Sequence, residues 1–236
     1  MTDDALDYGR FEALTFDCYG TLVDWETGIL TGLRAALRGL AVAPPDDELL
    51  ERYSQAEGAA EEGPYLPYRE VVANSLRVVC RRYGIEATDK AAADFGASVG
   101  DWLPFPDSVA ALARLKSRYR LGVITNCDDD LFATTNGRLG VEFDWIVTAQ
   151  SVGSYKPDPR NFLAAFDRID LPRERILHVA QSLFHDHAPA RRLGLASVWI
   201  DRRHGRAGSG ASPWVEAHPE ATFPDMASFA GAATRA

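Results

Sequence analysis

The sequence predicts an α/β fold in which a helical cap is inserted into a doubly wound parallel sheet. Ala13 to Phe16 form a short apolar run, typical of a buried strand, which ends at Asp17. From Arg118 onward, short β-runs alternate with helical stretches, and this alternation indicates parallel strands joined by crossover helices. The residues in between are helical in pattern. We therefore expect a core formed by residues 1–21 and 104–236, and a cap formed by residues 22–103.

Each element follows from local spacing and from the residues that interrupt it. In the cap, apolar residues recur every three to four positions, and Pro44-Pro45 and Gly63-Pro64 separate the helices. The predicted cap helices are Trp25 to Leu40 with Asp24 as N-cap, Asp46 to about Ala59, a third around Val71 to Tyr83, and Asp89 to Trp102. The later predicted strands are Leu121 to Thr125, Trp145 to Thr148, Ile176 to Ala180 and Ser197 to Ile200.

Composition limits the classes of partner. The chain of 236 residues is 46% hydrophobic and 25% charged, which is typical of a soluble globular protein. Its net charge of -9, without a basic block, argues against a nucleic-acid surface. We expect no membrane contact, because no apolar run reaches spanning length, and no signal peptide, because the N-terminus is acidic. Three scattered cysteines fit a reducing cytoplasm.

Asp17 is the first candidate for chemistry. A buried parallel strand that ends in Asp places the carboxylate at the carboxyl edge of the sheet, where open α/β sheets bind ligands. Gly20 then turns the chain. A carboxylate at that edge could act as a covalent nucleophile, although an ordinary strand followed by a helix-capping Asp has the same local pattern.

Three later loops carry the other candidates. Thr125 and Asn126 follow a strand and could hold an anion, or Thr125 could simply cap the next helix. Asp128 to Asp130 read as solvated charges at a helix start. Lys156, in the run Lys-Pro-Asp-Pro, would keep a neighbouring Asp17 ionised. After the fourth strand come Gln181, His185 and Asp186, and Asp186 is placed to act as a base or to orient water.

These four segments, taken in order, resemble the motifs of the haloacid dehalogenase superfamily. The resemblance implies a Rossmann-like core with a cap over its carboxyl edge, with Asp17 as nucleophile and Lys156 and Asp186 as catalytic partners. The phosphatases of that superfamily carry a second Asp where this chain has Tyr19, and a magnesium-binding Asp where it has Gln181. The two replacements imply that neither a metal ion nor any other cofactor is used, since Mg²⁺ prefers carboxylate oxygen.

Within the superfamily the chain is similar to L-2-haloacid dehalogenases, and also to azetidine-2-carboxylate hydrolase. The first resemblance implies that Asp17 displaces a halide from a small carboxylic acid to form an ester, which water then hydrolyses. The second implies opening of a strained ring by the same nucleophile. A phosphatase and a non-catalytic binding protein remain as alternatives, and a homodimer is compatible with an apolar stripe on a cap helix. The residues implied to bind substrate are Tyr19, Thr21, Arg52, Thr125, Asn126, Gln181 and His185, with Arg52 in the place of a cap arginine that cradles halide.

Overall fold

The computed structural model describes residues 6–206 and 210–235. These residues form a six-stranded sheet in which all neighbouring strands are parallel. The strands are β1 (Ala13–Phe16), β2 (Arg120–Thr125), β3 (Trp145–Thr148), β4 (Ile176–Ala180), β5 (Ala196–Ile200) and β6 (Ala221–Phe223). Their order, β3-β2-β1-β4-β5-β6, reverses between β1 and β4. That reversal opens a crevice at the carboxyl ends of these two strands.

The segment between β1 and β2 begins with four helices, α1 (Trp25–Ala36), α2 (Asp46–Glu61), α3 (Tyr68–Arg82) and α4 (Asp89–Ala97). The Asp24 carboxylate accepts the Thr27 N–H at 3.2 Å, which confirms the predicted N-cap of α1. Two ends differ from the prediction. Helix α1 stops at Ala36, ahead of a turn that contains Gly39, and α4 tightens after Ala97 into a 3-10 turn (Ser98–Asp101). The Ser98 hydroxyl donates to the Phe95 carbonyl there, a local bond that competes with helix continuation.

Six further helices flank the sheet: α5 (Ser108–Lys116), α6 (Asp129–Leu139), α7 (Ala149–Val152), α8 (Arg160–Arg168), α9 (Ala188–Arg192) and α10 (Met226–Ala233). Every residue of β1 and β4 is buried, because helices cover both faces of the sheet. The α/β doubly wound fold is therefore confirmed. The edge strand β6 was not predicted, since three residues carry too little periodicity to be recognised.

The two connections between cap and core run side by side. The Asp24 N–H donates to the Leu103 carbonyl at 2.9 Å, and the Phe105 N–H donates to the Leu22 carbonyl at 3.0 Å. The predicted domain limits at residues 22 and 104 fall on this paired segment, and the division itself stays a prediction.

A second link between cap and core corrects the prediction for Asp128. Its side chain is buried and accepts the backbone N–H groups of Tyr68 at 2.7 Å and Arg69 at 3.0 Å. Helix α3 begins at Tyr68 after Pro67, which has no side-chain group to cap it. A core carboxylate therefore caps a cap helix, so Asp128 is not a solvated helix-start charge.

None of the helices within residues 6–206 and 210–235 is both long and apolar enough to cross a membrane.

Candidate active site

Asp17 follows β1 directly, and the turn after it is fixed by backbone hydrogen bonds. The Cys18 carbonyl accepts the N–H groups of Leu22 at 2.7 Å and Val23 at 3.0 Å. Gly20 lies inside this turn with φ of +93°, and a Cβ there would come within 2.8 Å of the Trp25 indole nitrogen. Both the backbone conformation and the close approach require glycine.

Lys156 joins two carboxylates at the carboxyl edge of the sheet. Its ammonium donates to Asp17 Oδ1 at 2.8 Å, to Asp186 Oδ1 at 2.6 Å and to the Ile124 carbonyl at 2.9 Å. The side chain is only 1% exposed. Because an ammonium has three N–H groups, all of its donors are used within the protein. Lys156 therefore holds the two carboxylates together and has no donor left for a substrate in this arrangement.

Asp186 is also held from its other side by His178, which the motif analysis did not single out. His178 Nε2 lies 3.0 Å from Asp186 Oδ1, and His178 Nδ1 lies 2.9 Å from the Thr15 hydroxyl. An ionised carboxylate only accepts, so Nε2 is the nitrogen that donates. The other carboxylate oxygen, Asp186 Oδ2, is buried and has no hydrogen-bond partner among the described residues.

The two carboxylates differ in acidity. Burial raises the pKa of Asp17 above its usual range, while the ammonium of Lys156 and the Thr21 hydroxyl oppose that rise. Burial would do the same to Asp186, but Lys156 and His178 outweigh it and hold its pKa well below the usual range. Asp17 is therefore the more basic carboxylate, which suits a nucleophile, and Asp186 is the weaker base.

Thr21 and Asn126, two residues predicted to bind substrate, form hydrogen bonds around the predicted catalytic residues. The Thr21 hydroxyl donates to Asp17 Oδ2 at 2.7 Å and accepts the Gln181 N–H at 2.8 Å. Asn126 Oδ1 accepts the Lys156 N–H at 2.7 Å, and its Nδ2 donates to the Lys156 carbonyl at 3.0 Å. Thr125 differs from both, since its buried hydroxyl has no partner in the described part of the chain.

A cavity of about 30 Å³ lies against these groups, enough for one or two water molecules. Tyr19, Gln181 and His185 line it, and their binding of substrate stays a prediction. The Tyr19 hydroxyl lies 2.9 Å from the Thr135 hydroxyl, so its polar end is bonded within the protein. Burial lowers the pKa of His185 to about 4, and its ring is therefore neutral near pH 7.

The cap contributes two carboxylates that the motif analysis missed, Glu57 and Glu61 of α2. They stand four residues apart, in line with buried Tyr53, and share one helix face. Glutamates at core-facing positions of a helix are rare unless they are paired or functional. The four-residue spacing of Tyr53, Glu57 and Glu61 could have indicated that the two glutamates share the inward face of α2.

Arg52 is not brought into this cavity. It donates to Glu48, one turn earlier on α2, with 2.9 Å between Arg52 Nη2 and Glu48 Oε1, and it lies over the Tyr83 ring. The side chain of Arg52 is 38% exposed. It stands next to buried Tyr53, and the helical rotation of one residue turns it away from the inward face.

The donor set does not fit a divalent cation of the kind that the superfamily's phosphatases use. The ammonium of Lys156 already lies between Asp17 and Asp186, and Gln181 offers no charge. No group of three or more ligating side chains occurs within the described ranges.

Comparisons with known proteins agree on one family. A family model for haloacid dehalogenase-like hydrolases matches residues 11–194. The (S)-2-haloacid dehalogenase H-109 of Pseudomonas putida is 27% identical to this chain, over 81% of the chain and 86% of that relative. The 5-amino-6-(5-phospho-D-ribitylamino)uracil phosphatase YigB of Escherichia coli (strain K12) is 29% identical, over 84% of this chain and 86% of that relative. The crystal structure of the L-2-haloacid dehalogenase PA0810 is similar with a TM-score of 0.75 and 25% identity, over 94% of this chain and 97% of that one.

Proposed function

The chain belongs to the haloacid dehalogenase-like hydrolase family, and we propose that it hydrolyses small 2-substituted carboxylic acids, with 2-haloacids as the leading class, without a metal ion. The observation that carries this proposal is the ammonium of Lys156, which donates to both Asp17 and Asp186, while Gln181 offers no charge for a metal ion. The names of the relatives support haloacids as substrates.

The reaction would proceed in two steps at saturated carbon. Asp17 attacks the carbon that bears the leaving group, the carbon–halogen bond breaks with its electron pair leaving on the halide, and an ester forms, which divides one difficult displacement into two easier steps. Water then attacks the carboxyl carbon of Asp17 and releases a hydroxy acid. Asp186 Oδ2, which is buried and has no hydrogen-bond partner among residues 6–206 and 210–235, is available to orient that water. Its low pKa favours orientation over proton removal.

The hydroxyl of Thr125 has a free hydrogen-bonding capacity at the edge of the cavity. We propose that it donates to the substrate carboxylate. The cavity itself is too small for such an acid, so substrate binding requires the cap to move away from the core.

Isotope labelling tests the covalent step. A single turnover of 2-chloropropionate in H₂¹⁸O should place ¹⁸O in the Asp17 carboxylate, because water attacks the enzyme side of the ester. Asp17→Asn should abolish halide release, whereas Asp94→Asn, at an exposed ion pair with Lys90, should not. Label found in the product alone would refute the ester, and loss of activity in EDTA that Mg²⁺ restores would refute metal independence.

A second candidate, ring opening of the azetidine-2-carboxylate type, is favoured by the acidity of the cap side. There Asp17 would attack the carbon next to the ring nitrogen, and the electron pair of the broken C–N bond would pass to nitrogen. The same ester and the same water step follow. Glu57 and Glu61 line the cavity, where their carboxylates would suit a substrate that carries an amino group besides its carboxylate.

A cytoplasmic location and a homodimer belong to the same proposal. The three cysteines are free and buried, which fits a reducing compartment. We expect no nucleic-acid partner, because the net charge is -9.

A further inference from the structure

His178 and Asp186 are eight residues apart in the chain, and the fold brings their side chains into direct contact. His178 lies in β4, and Asp186 lies in a single π-helical turn (Leu183–His187) that follows the end of this strand. His178 Nε2 comes within 3.0 Å of Asp186 Oδ1, and both residues are fully buried. Because the contact is shielded from water, the hydrogen bond to the charged carboxylate is a strong one.

The imidazole of His178 is also fixed by its other nitrogen. Thr15 stands opposite His178 in the parallel pair of β1 and β4, and its hydroxyl lies 2.9 Å from His178 Nδ1. The Phe162 ring of α8 meets the imidazole edge-on, with 5.2 Å between the ring centroids. The ring is therefore held by two neighbouring elements besides its own strand, so that Nε2 stays directed at Asp186.

Two donors converge on one oxygen of Asp186. Lys156 donates to Asp186 Oδ1 at 2.6 Å, and His178 donates to the same oxygen at 3.0 Å. The second oxygen, Oδ2, is buried and has no hydrogen-bond partner in the part of the chain that the structure describes. Because the two donors come from different segments, they fix the rotation of the carboxylate. Oδ2 is then the oxygen that can accept a hydrogen bond from a water molecule.

Formation of the ester changes the charges around Asp186. The Asp17 carboxylate becomes neutral when it is esterified, and Asp186 is then the one carboxylate in contact with the ammonium of Lys156 among the described residues. Without a second donor on Oδ1, the Asp186 carboxylate could rotate and offer both oxygens to that ammonium. Oδ2 would then no longer face the water. The hydrogen bond from His178 opposes this rotation at the stage when water has to be oriented.

We propose that His178 is a positioning residue for hydrolysis of the ester, in which it holds Asp186 Oδ1 so that Oδ2 orients the attacking water. This role rests on the proposed function. In that step the water oxygen bonds to the carboxyl carbon of Asp17, and the bond from this carbon to the ester oxygen breaks. The electron pair stays on the oxygen of the hydroxy acid, which takes one proton of the water while the other passes to solvent. His178 gives up no proton.

The test measures the two steps separately with 2-chloropropionate. His178→Phe keeps a ring but removes the N–H. Halide formation in the first turnover should stay within about fivefold of wild type, because no hydrogen bond joins His178 to Asp17 in the described structure. Hydrolysis of the ester should slow by about 10²-fold, the usual cost of a misplaced reacting group. A burst of halide should therefore appear, and mass spectrometry of the acid-quenched protein should show the ester accumulating on Asp17.

Three further variants tie the effect to the hydrogen bond. His178→Gln restores an N–H at a similar reach and should hydrolyse the ester within about tenfold of wild type. Thr15→Val releases the ring and should accumulate less ester than His178→Phe, but more than wild type. The matched control is His187→Phe, since His187 is equally buried but donates to the Ala180 carbonyl at 3.0 Å. It should accumulate no ester.

Urea denaturation establishes that each variant is folded, and Thr15→Val carries the same prediction if His178→Phe does not fold. Equal slowing of both steps in His178→Phe would reduce its role to a structural one and overturn the proposal. Ester accumulation as high in His178→Gln or His187→Phe would also overturn it. A wild type in which Asp17 takes up no ¹⁸O would refute the proposed function itself. Uptake of ¹⁸O by wild-type Asp17, with no ester in His178→Phe or Thr15→Val, would refute the role of His178 alone.

Discussion

Two pairs of carboxylates face one cavity, and they are buried in different ways. The core pair, Asp17 and Asp186, shares the ammonium of Lys156 at 2.8 Å and 2.6 Å. Among the described residues, the cap pair, Glu57 and Glu61, contacts only neutral donors, which are tyrosine hydroxyls, an amide and a neutral histidine. Burying a carboxylate without a cation is costly, and its pKa rises as a result.

The difference separates chemistry from recognition. Lys156 supplies the positive charge for the core pair, so the arrangement of Asp17 and Asp186 does not depend on a bound substrate. Among the described residues, the cap pair has no Lys or Arg within hydrogen-bonding distance. The pKa values follow this division, since that of Asp186 is held low while that of Glu57 is raised to about 7.

Removal of the core cation should have the largest effect. Lys156→Met leaves Asp17 and Asp186 buried side by side without the cation that they share. We expect halide release to fall by about 10³-fold or more, and the free energy of unfolding by about 3 to 5 kcal/mol. Activity assays and urea denaturation measure the two quantities.

The matched control for that variant is Lys116→Met, which breaks a Lys–Asp pair at the surface, 2.6 Å from Asp144. It should cost about 1 kcal/mol or less and leave activity unchanged. If Lys156→Met keeps activity within tenfold of wild type, the core does not depend on its internal cation, and the contrast between the two pairs is lost.

The cap pair should respond to pH in a way that the core pair does not. The folded-state pKa of Glu57, about 7, lies above its value of 4.5 in the unfolded chain, so its contribution to stability is complete below pH 4.5 and is lost as pH rises through 7. Between pH 4 and pH 9, the wild type should lose about 3 kcal/mol relative to Glu57→Gln, which cannot titrate. Burial also raises the pKa of Glu61, and the charge of Glu57 adds to that rise, so Glu57→Gln relieves part of the Glu61 shift as well and the difference between the two proteins reports on the pair.

Urea denaturation at a series of pH values measures this loss, with the exposed Glu70→Gln as the control, whose curve should parallel that of the wild type. Parallel curves for the wild type and Glu57→Gln would show that Glu57 is not an uncompensated buried acid.

The connection that holds the cap over the core should have an intermediate effect. Asp128→Ala removes the carboxylate that caps α3, and leaves the N–H groups of Tyr68 and Arg69 without an acceptor. We expect a loss of about 2 kcal/mol in the free energy of unfolding. Asp130→Ala, which removes an exposed partner of the same Arg69, should cost about 0.5 kcal/mol or less. Equal losses in the two variants would mean that the capping bonds add nothing.

More of the site residues in the core than in the cap could be predicted from the sequence. Strand ends in a parallel sheet converge on one edge, so Asp17 and Thr125 could be placed there from the strand pattern. Lys156 and Asp186 lie beyond strand ends and were placed at the site through the motifs that they resemble. The hydrogen bonds of Thr21 and Asn126 could not be predicted, because a side chain that binds substrate and one that orients a neighbouring residue can occupy the same position in a motif.

The cap residues were missed for a related reason. Which face of α2 turns inward depends on packing against the core, and a charged residue on a helix is most often at the surface. Arg52 was predicted at the site from its residue type and approximate position, whereas Glu57 and Glu61 were not predicted there. His178 was missed because it lies within a buried strand, where a single histidine does not change the apolar pattern that predicts the strand.

The smallest expected effect belongs to Arg52, and it tests how α2 is oriented. Arg52 and Glu61 are nine residues apart on one helix, so they lie roughly 180° apart around its axis. Both cannot face the cavity at once. With Glu61 inward and Arg52 bonded to Glu48, Arg52→Ala should leave kcat and KM for 2-chloropropionate within about twofold of wild type, because an exposed ion pair contributes little. Steady-state halide release measures both constants, with Arg77→Ala, at another surface pair, as the control. A large rise in KM for Arg52→Ala alone would mean that α2 rotates when substrate binds. Arg52 would then hold the anion, Glu61 would leave the cavity, and the division between core and cap would apply only to the free protein.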